Sequence, residues 1–159
     1  MPATNYTPFG PNTYNWDTTA TTYRGSPVVY KGSTLAYGVT NPAGSSADVI
    51  AGVATIDAGP SVPASEAAAA NITAIPVQEY GVIAMFAKGT IIPGNVVKIG
   101  PTISTTPAGY TTAITVYTAQ VATQAAAGAQ PYPVLGVAVT GSSADGDIVY
   151  VRLIPGMYF

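Results

Sequence analysis

The sequence predicts a mainly β fold: a small β-barrel or sandwich, with a β-tulip-like fold as a variant, one or two short helices and an extended N-terminal arm. Three observations carry this. Short runs rich in Val, Ile and Tyr recur along the chain, Gly and Pro separate them, and no stretch has the apolar period of an amphipathic helix. β-branched and aromatic side chains fit a pleated, half-buried surface, and Gly/Pro punctuation ends each run before a helix can propagate. Seventeen glycines and fourteen prolines in 159 residues favour many turns and short strands.

The first 25 residues differ in composition from the rest of the chain. Tyr6, Phe9, Tyr14, Trp16 and Tyr23 are spaced through Thr, Asn and Pro with a period of neither 2 nor 3.6. Pro2, Pro8 and Pro11 discourage regular structure. Disordered tails are poor in aromatics, whereas Tyr and Trp are enriched at interfaces. Residues 1–25 therefore read as an extended arm ordered against a neighbouring subunit, with those five aromatics as its contact residues.

Residues 26–159 then form a single β-rich domain. Strands are expected at 27–30 (PVVY) and 34–39 (TLAYGV), flanking a tight turn at Lys31-Gly32-Ser33. A loop at 41–46 leads to a strand at 48–56 (DVIAGVATI), with Gly52 at a bulge or bend. Ser65 can cap a short helix through four alanines to Asn71. Strands are expected next at 72–77, 79–86 and 96–99, the last two joined by a connection carrying Gly89, Pro93 and Gly94. Residues 101–131 are dominated by Thr, Ala, Gln, Pro and Gly and read as a surface insertion, although 110–118 is a strand-like run and 125–128 a helical turn. Strands at 134–139 and 148–154, around a polar turn at 142–147, close the chain. No repeat of 20–50 residues is visible.

Composition excludes much chemistry. Cys and His are both absent, which removes disulfides, thiol catalysis, most zinc and copper sites and every imidazole-based triad. Five basic and seven acidic residues cannot build the basic patch that a nucleic acid requires, so no nucleic-acid partner is expected. No run approaches the roughly 20 apolar residues of a membrane helix. The N-terminal residues lack the basic start and apolar segment of a signal peptide, so the expectation is synthesis in the cytoplasm and no membrane. Asp145-Gly146-Asp147 spaces two carboxylates as a Ca²⁺ loop does, but a full site needs about six oxygens. An Asp-Gly step between β runs is a hairpin signal instead. Glu66, Glu79 and the aspartates carry no motif that pairs them for glycoside hydrolysis, and the phosphate-binding glycine patterns are absent. No catalytic, cofactor-binding or metal-binding residue is assigned, and no enzymatic activity is expected. So weakly charged a surface lacks the repulsion that keeps molecules apart, which points to a protein that works inside an assembly.

Five segments, in chain order, carry a resemblance. They are Tyr30-Lys31-Gly32-Ser33-Thr34-Leu35-Ala36-Tyr37; Gly81 and Phe86; Ile91-Ile92-Pro93-Gly94-Asn95-Val96-Val97; Val134-Leu135-Gly136-Val137-Ala138; and Asp145-Gly146-Asp147-Ile148-Val149-Tyr150-Val151-Arg152-Leu153. Together they resemble the small capsid cement, or decoration, proteins of tailed bacteriophages. That family has an early Lys-Gly-Asp-x-Leu segment, an x-x-Gly-Asp-x-Val turn, a Leu-Gly-x-Ala strand and a closing Gly-x-x-Val-x-Val-x-Leu strand. Ser33 and Asn95 stand where the family often has Asp, and 101–131 is longer than its usual link. The resemblance covers parts of 27–154 and none of the arm. It implies a virion protein on the capsid's outer surface, a homotrimer whose partner is the major capsid protein. Such a protein bridges neighbouring capsid subunits and catalyses nothing, and the aromatic arm would supply the reach. The alternative is a self-assembling minor virion or surface-layer protein, and after it a carbohydrate-binding module using exposed tyrosines.

Overall fold

The computed structural model describes residues 10–32, 37–44, 48–63 and 69–159. Its ten strands form two closed five-stranded barrels in series. Barrel 1 holds β1 (Asn12–Trp16), β2 (Pro27–Tyr30), β3 (Gly38–Thr40), β4 (Ile50–Ala54) and β5 (Ala74–Gln78). Barrel 2 holds β6 (Gly81–Lys88), β7 (Val96–Thr105), β8 (Ile114–Val121), β9 (Gly136–Ala138) and β10 (Ile148–Leu153). The mainly β fold is as expected. The expected helix from Ser65 lies mostly outside the described residues, and 69–71 form one 3₁₀ turn.

The two barrels share one topology. In barrel 1, β1 pairs parallel with β3, and β3–β2, β2–β4, β4–β5 and β5–β1 are antiparallel. In barrel 2, β6 pairs parallel with β8, and β8–β7, β7–β9, β9–β10 and β10–β6 are antiparallel. The correspondence reaches single hydrogen bonds. Gly25 N donates to Ala54 O at 2.9 Å, and Gly94 N to Ala138 O at 2.8 Å. Ala54 N donates to Ser26 O, as Ala138 N does to Asn95 O, both at 2.9 Å. The isolated bridge Thr22–Ala58 recurs as Ile91–Ser142. The sequence keeps a trace at one place: Gly52-Val53-Ala54 in β4 matches Gly136-Val137-Ala138 in β9. Both glycines have φ near +155°, at 153° and 156°. A Cβ on Gly52 would lie 2.3 Å from Gln78 O, and one on Gly136 would lie 1.9 Å from Arg152 O. Only a glycine lets the neighbouring strand come this close. The chain is thus a tandem repeat whose unit exceeds the 20–50 residue range in which the sequence shows none.

Each barrel has its own core. Trp16, Val28, Val39, Ile75 and Val77 fill barrel 1, with alanines between them. Met85, Val97, Leu135, Val149, Val151 and Leu153 fill barrel 2. β10 alternates strictly, turning Val149, Val151 and Leu153 inward and Ile148, Tyr150 and Arg152 outward. A third cluster, Tyr23 with Phe86, Ile103, Ile114 and Val116, joins the barrels.

Two expectations about organisation are corrected. Residues 12–25 are not part of an arm: β1 closes barrel 1 through four residue pairs with β5, from Asn12↔Val77 to Asn15↔Ala74. Its backbone ladder and Trp16 hold it, while Asn12, Thr13 and Asn15 hide it from a reading based on apolar alternation. Residues 101–131 are not an insertion as a whole either. β7 continues to Thr105 and β8 covers Ile114–Val121, so much of that stretch is barrel wall. Pro101 is accommodated where the β7–β8 register shifts between Gly100 and Ile103, and the buried Thr118 hydroxyl donates to its carbonyl at 2.8 Å.

Candidate interaction surface

Three of the five aromatics expected to contact a partner are structural. Trp16 is only 2% exposed, and its Nε1 donates to Ala20 O at 3.1 Å. Tyr23 is 5% exposed, wedged into the seam between the barrels, with its hydroxyl donating to Ser61 O at 3.2 Å. Its ring meets Tyr110 edge-on at 6.2 Å. Tyr14 donates to the Glu79 carboxylate and shares a 3.2 Å bond with the Tyr30 hydroxyl. Burial, and then the Glu79 hydrogen bond, holds the Tyr14 phenol far above its ordinary pKa. Asn12 Nδ2 donates to the same Glu79 oxygen at 2.9 Å, so the link between the barrels is tied to β1. Tyr6 and Phe9 lie outside the described residues.

The barrel junction holds a cavity of about 260 Å³, lined by Tyr23, Arg24, Phe86, Pro107, Tyr110 and Ile148 among others. Arg24 is the one charged residue among those lining it. Beside it, the buried Asp57 carboxylate accepts from Arg24 N at 2.7 Å and from the Tyr110 hydroxyl. These groups clamp one barrel to the other rather than converge on a vacant point where a substrate could react.

Three further described carboxylates, Asp17, Asp145 and Asp147, also serve the fold. Asp17 pairs with Lys31 at 2.5 Å and accepts from Thr19 and Thr40. The Lys31 bond above all holds its acid well below the usual carboxylate range. The Asp145-Gly146-Asp147 turn joins β9 to β10. Asp145 pairs with Lys88 and accepts from Gly89 N, and Asp147 accepts from the backbone of Ser143 at 2.8 Å and Ala144 at 2.9 Å. The two side chains bind separate partners in the turn. Among the described residues, no group of three or more acidic side chains is placed to hold a metal.

The feature that stands out is the outer face of barrel 2. Two registered rows cross β6, β10 and β9: Ala84, Tyr150 and Val139; Val82, Arg152 and Val137. The next pair, Phe86 and Ile148, reaches the barrel junction, where Tyr23 packs on Phe86 and Ile148 lines the cavity. Ile148, Tyr150 and Val82 are each about half exposed, at 48%, 48% and 50%. Arg152 is the one charge in these rows. The outside of a closed barrel normally meets water, so a contiguous apolar face there marks a contact surface. Sequence reasoning missed it, although the signal was present. In 148–153 the positions of both parities are largely apolar, which is the pattern of a strand covered on both sides. Among the described residues, no helix is long and apolar enough to cross a membrane. Compared with known proteins, the chain matches no family model and no curated sequence.

Proposed function

We propose that this is a structural virion protein that binds the outer surface of a phage capsid and stabilises it by bridging neighbouring major capsid subunits. The observation that carries the reading is the uncovered apolar face of barrel 2 on a chain with so few charges. Such a face is useful to a component of an assembly and a liability to a free monomer. The resemblance to capsid cement proteins supplies the kind of assembly, and its closing segment is the strand that builds the face. Bridging needs no reaction, only contacts on both sides of a subunit boundary, each of the order of 800 Å² per partner. Oligomerisation would add avidity across the lattice.

With Trp16 and Tyr23 committed to packing, the segment before β1, carrying Tyr6 and Phe9, is the remaining candidate for reaching the capsid. Deleting residues 2–9 tests this. The expected outcome is a protein with an unchanged melting temperature that no longer co-sediments with expanded capsids. Undiminished capsid binding by the truncated chain would refute that role for the segment, and failure of the full chain to bind would refute the capsid reading.

A further inference from the structure

We propose that the outer face of barrel 2 seats on a second copy of this chain, head to tail, as barrel 1 seats on barrel 2 within one chain. The inference rests on the assembly reading above only in treating that face as an interface. Its basis is the tandem repeat. Barrel 1 docks through its 23–25 turn and through Val53 of β4. Tyr23 enters the seam beside β6 and β8, a Cβ on Gly25 would come within 3.1 Å of Ala84 O, and Val53 belongs to the barrel 2 core cluster. The hydrogen bonds that equate Gly25 with Gly94 and Ala54 with Ala138 also equate Tyr23 with Ile92 and Val53 with Val137. Barrel 2 therefore presents the same docking surface, open at the turn: Ile92, at the position of Tyr23, is 61% exposed, and Val137, at that of Val53, is half-buried.

The neighbouring positions have diverged in the direction that an interface requires. Thr55 N donates to Pro76 O, and in barrel 2 Val139 N donates to Tyr150 O. The same registers equate Ala74 with Ile148. Where barrel 1 has Thr55 and Pro76, barrel 2 has Val139, which replaces a hydroxyl with a methyl, and Tyr150, which is larger; Ile148, in place of Ala74, lines the intrachain junction instead. Side chains that faced only water would gain nothing from this enlargement. The seat on the second copy is the β1–β3 side of barrel 1, the counterpart of the β6–β8 side that receives Tyr23. Tyr37 stands there, 74% exposed, with its carbonyl accepting from Asn15 N. A contact between unlike faces is heterologous, and it closes into a ring or runs on as a filament. A trimer is one such ring.

The test is the mass of the full chain alone, by sedimentation velocity from low to high micromolar concentration. The expected result is a multiple of 16.0 kDa. Ile92→Asp and Tyr150→Asp should each weaken association by roughly 30-fold or more, the effect of losing a hot-spot contact. Ser104→Asp, on an exposed position of β7, should leave the mass unchanged. Thermal melts of each variant show whether the barrels remain folded. A wild-type monomer at every concentration overturns the proposal, as does an oligomer that survives both substitutions. A wild-type monomer that decorates capsids, and loses that binding on Tyr150→Asp, would put a capsid subunit on this face. That outcome refutes the second copy while leaving the capsid reading intact.

Discussion

Replacing Trp16 with alanine separates a barrel strand from an arm. In the structure the indole is 2% exposed among Val28, Val39, Ile75 and Val77, and Nε1 donates to Ala20 O. Truncating a buried aromatic to alanine costs about 3–5 kcal/mol through lost transfer energy and the cavity left behind. For a chain of this length, 1 kcal/mol moves Tm by roughly 2–4 °C, so the expected fall is about 6–20 °C. Far-UV circular dichroism and calorimetry would read it. Trp16 is the chain's only tryptophan, so wild-type emission also reports barrel 1 specifically, and it should be blue-shifted and poorly quenched. A residue on a solvated arm would change stability by no more than about 0.5 kcal/mol. A Tm shift below about 2 °C would therefore refute the placement of β1 in barrel 1.

Other consequences can be checked on the same material. Asp17→Asn should destabilise the protein by about 1 kcal/mol at neutral pH, a modest figure because Lys31 is partly exposed. Asp17's acid is lowered in the folded state, so its contribution is complete above the ordinary carboxylate pKa of about 3.9 and fades as pH falls below it. The Tm gap between wild type and variant should accordingly close on acidification, and a gap constant down to strongly acidic pH would count against the pair. Gly52→Ala and Gly136→Ala should both destabilise severely, because each added methyl meets a backbone carbonyl of the adjacent strand. If either variant melted like wild type, the two positions would not be equivalent. Tyr110→Phe removes one of the two described donors to Asp57 and should cost about 1–3 kcal/mol; an unchanged melt would mean that the junction does not depend on that bond.

The strands legible in the sequence are those whose side chains alternate or run apolar. PVVY became β2 to the residue, and IVYVRL became β10. β1 was not legible, because its order comes from a ladder with β5, roughly sixty positions away, and from one tryptophan among polar residues. Proline spacing suggested an arm, yet the described Pro11 lies just before the strand, where it interrupts no ladder. The 101–131 stretch misleads for a related reason: Thr102 and Thr115 stand exposed on the strands of barrel 2, so part of the stretch resembles a loop in composition while its geometry is strand. The repeat was hidden because the two barrels conserve backbone hydrogen bonds rather than side chains, and hydrogen bonds leave little mark on composition. Residue type alone marks the five aromatics as contact residues. Type cannot tell a tyrosine at a seam between barrels from one awaiting a partner.

The closure of each barrel within its own half of the chain has a consequence during synthesis. Every strand that barrel 1 needs is available once β5 has emerged, before barrel 2 is complete. At about 5–20 residues per second, residues 81–153 take roughly 4–15 s to translate. Through that interval Tyr23 and Val53 stand bare on a nascent half-molecule, on the surface that later receives barrel 2. Neighbouring ribosomes on one message would hold several such half-molecules close together. The two-residue link at Glu79-Tyr80, tied back to β1 by the Asn12 and Tyr14 hydrogen bonds, delivers β6 beside its own first half. That tether gives the cognate second half a kinetic advantage over a stranger's.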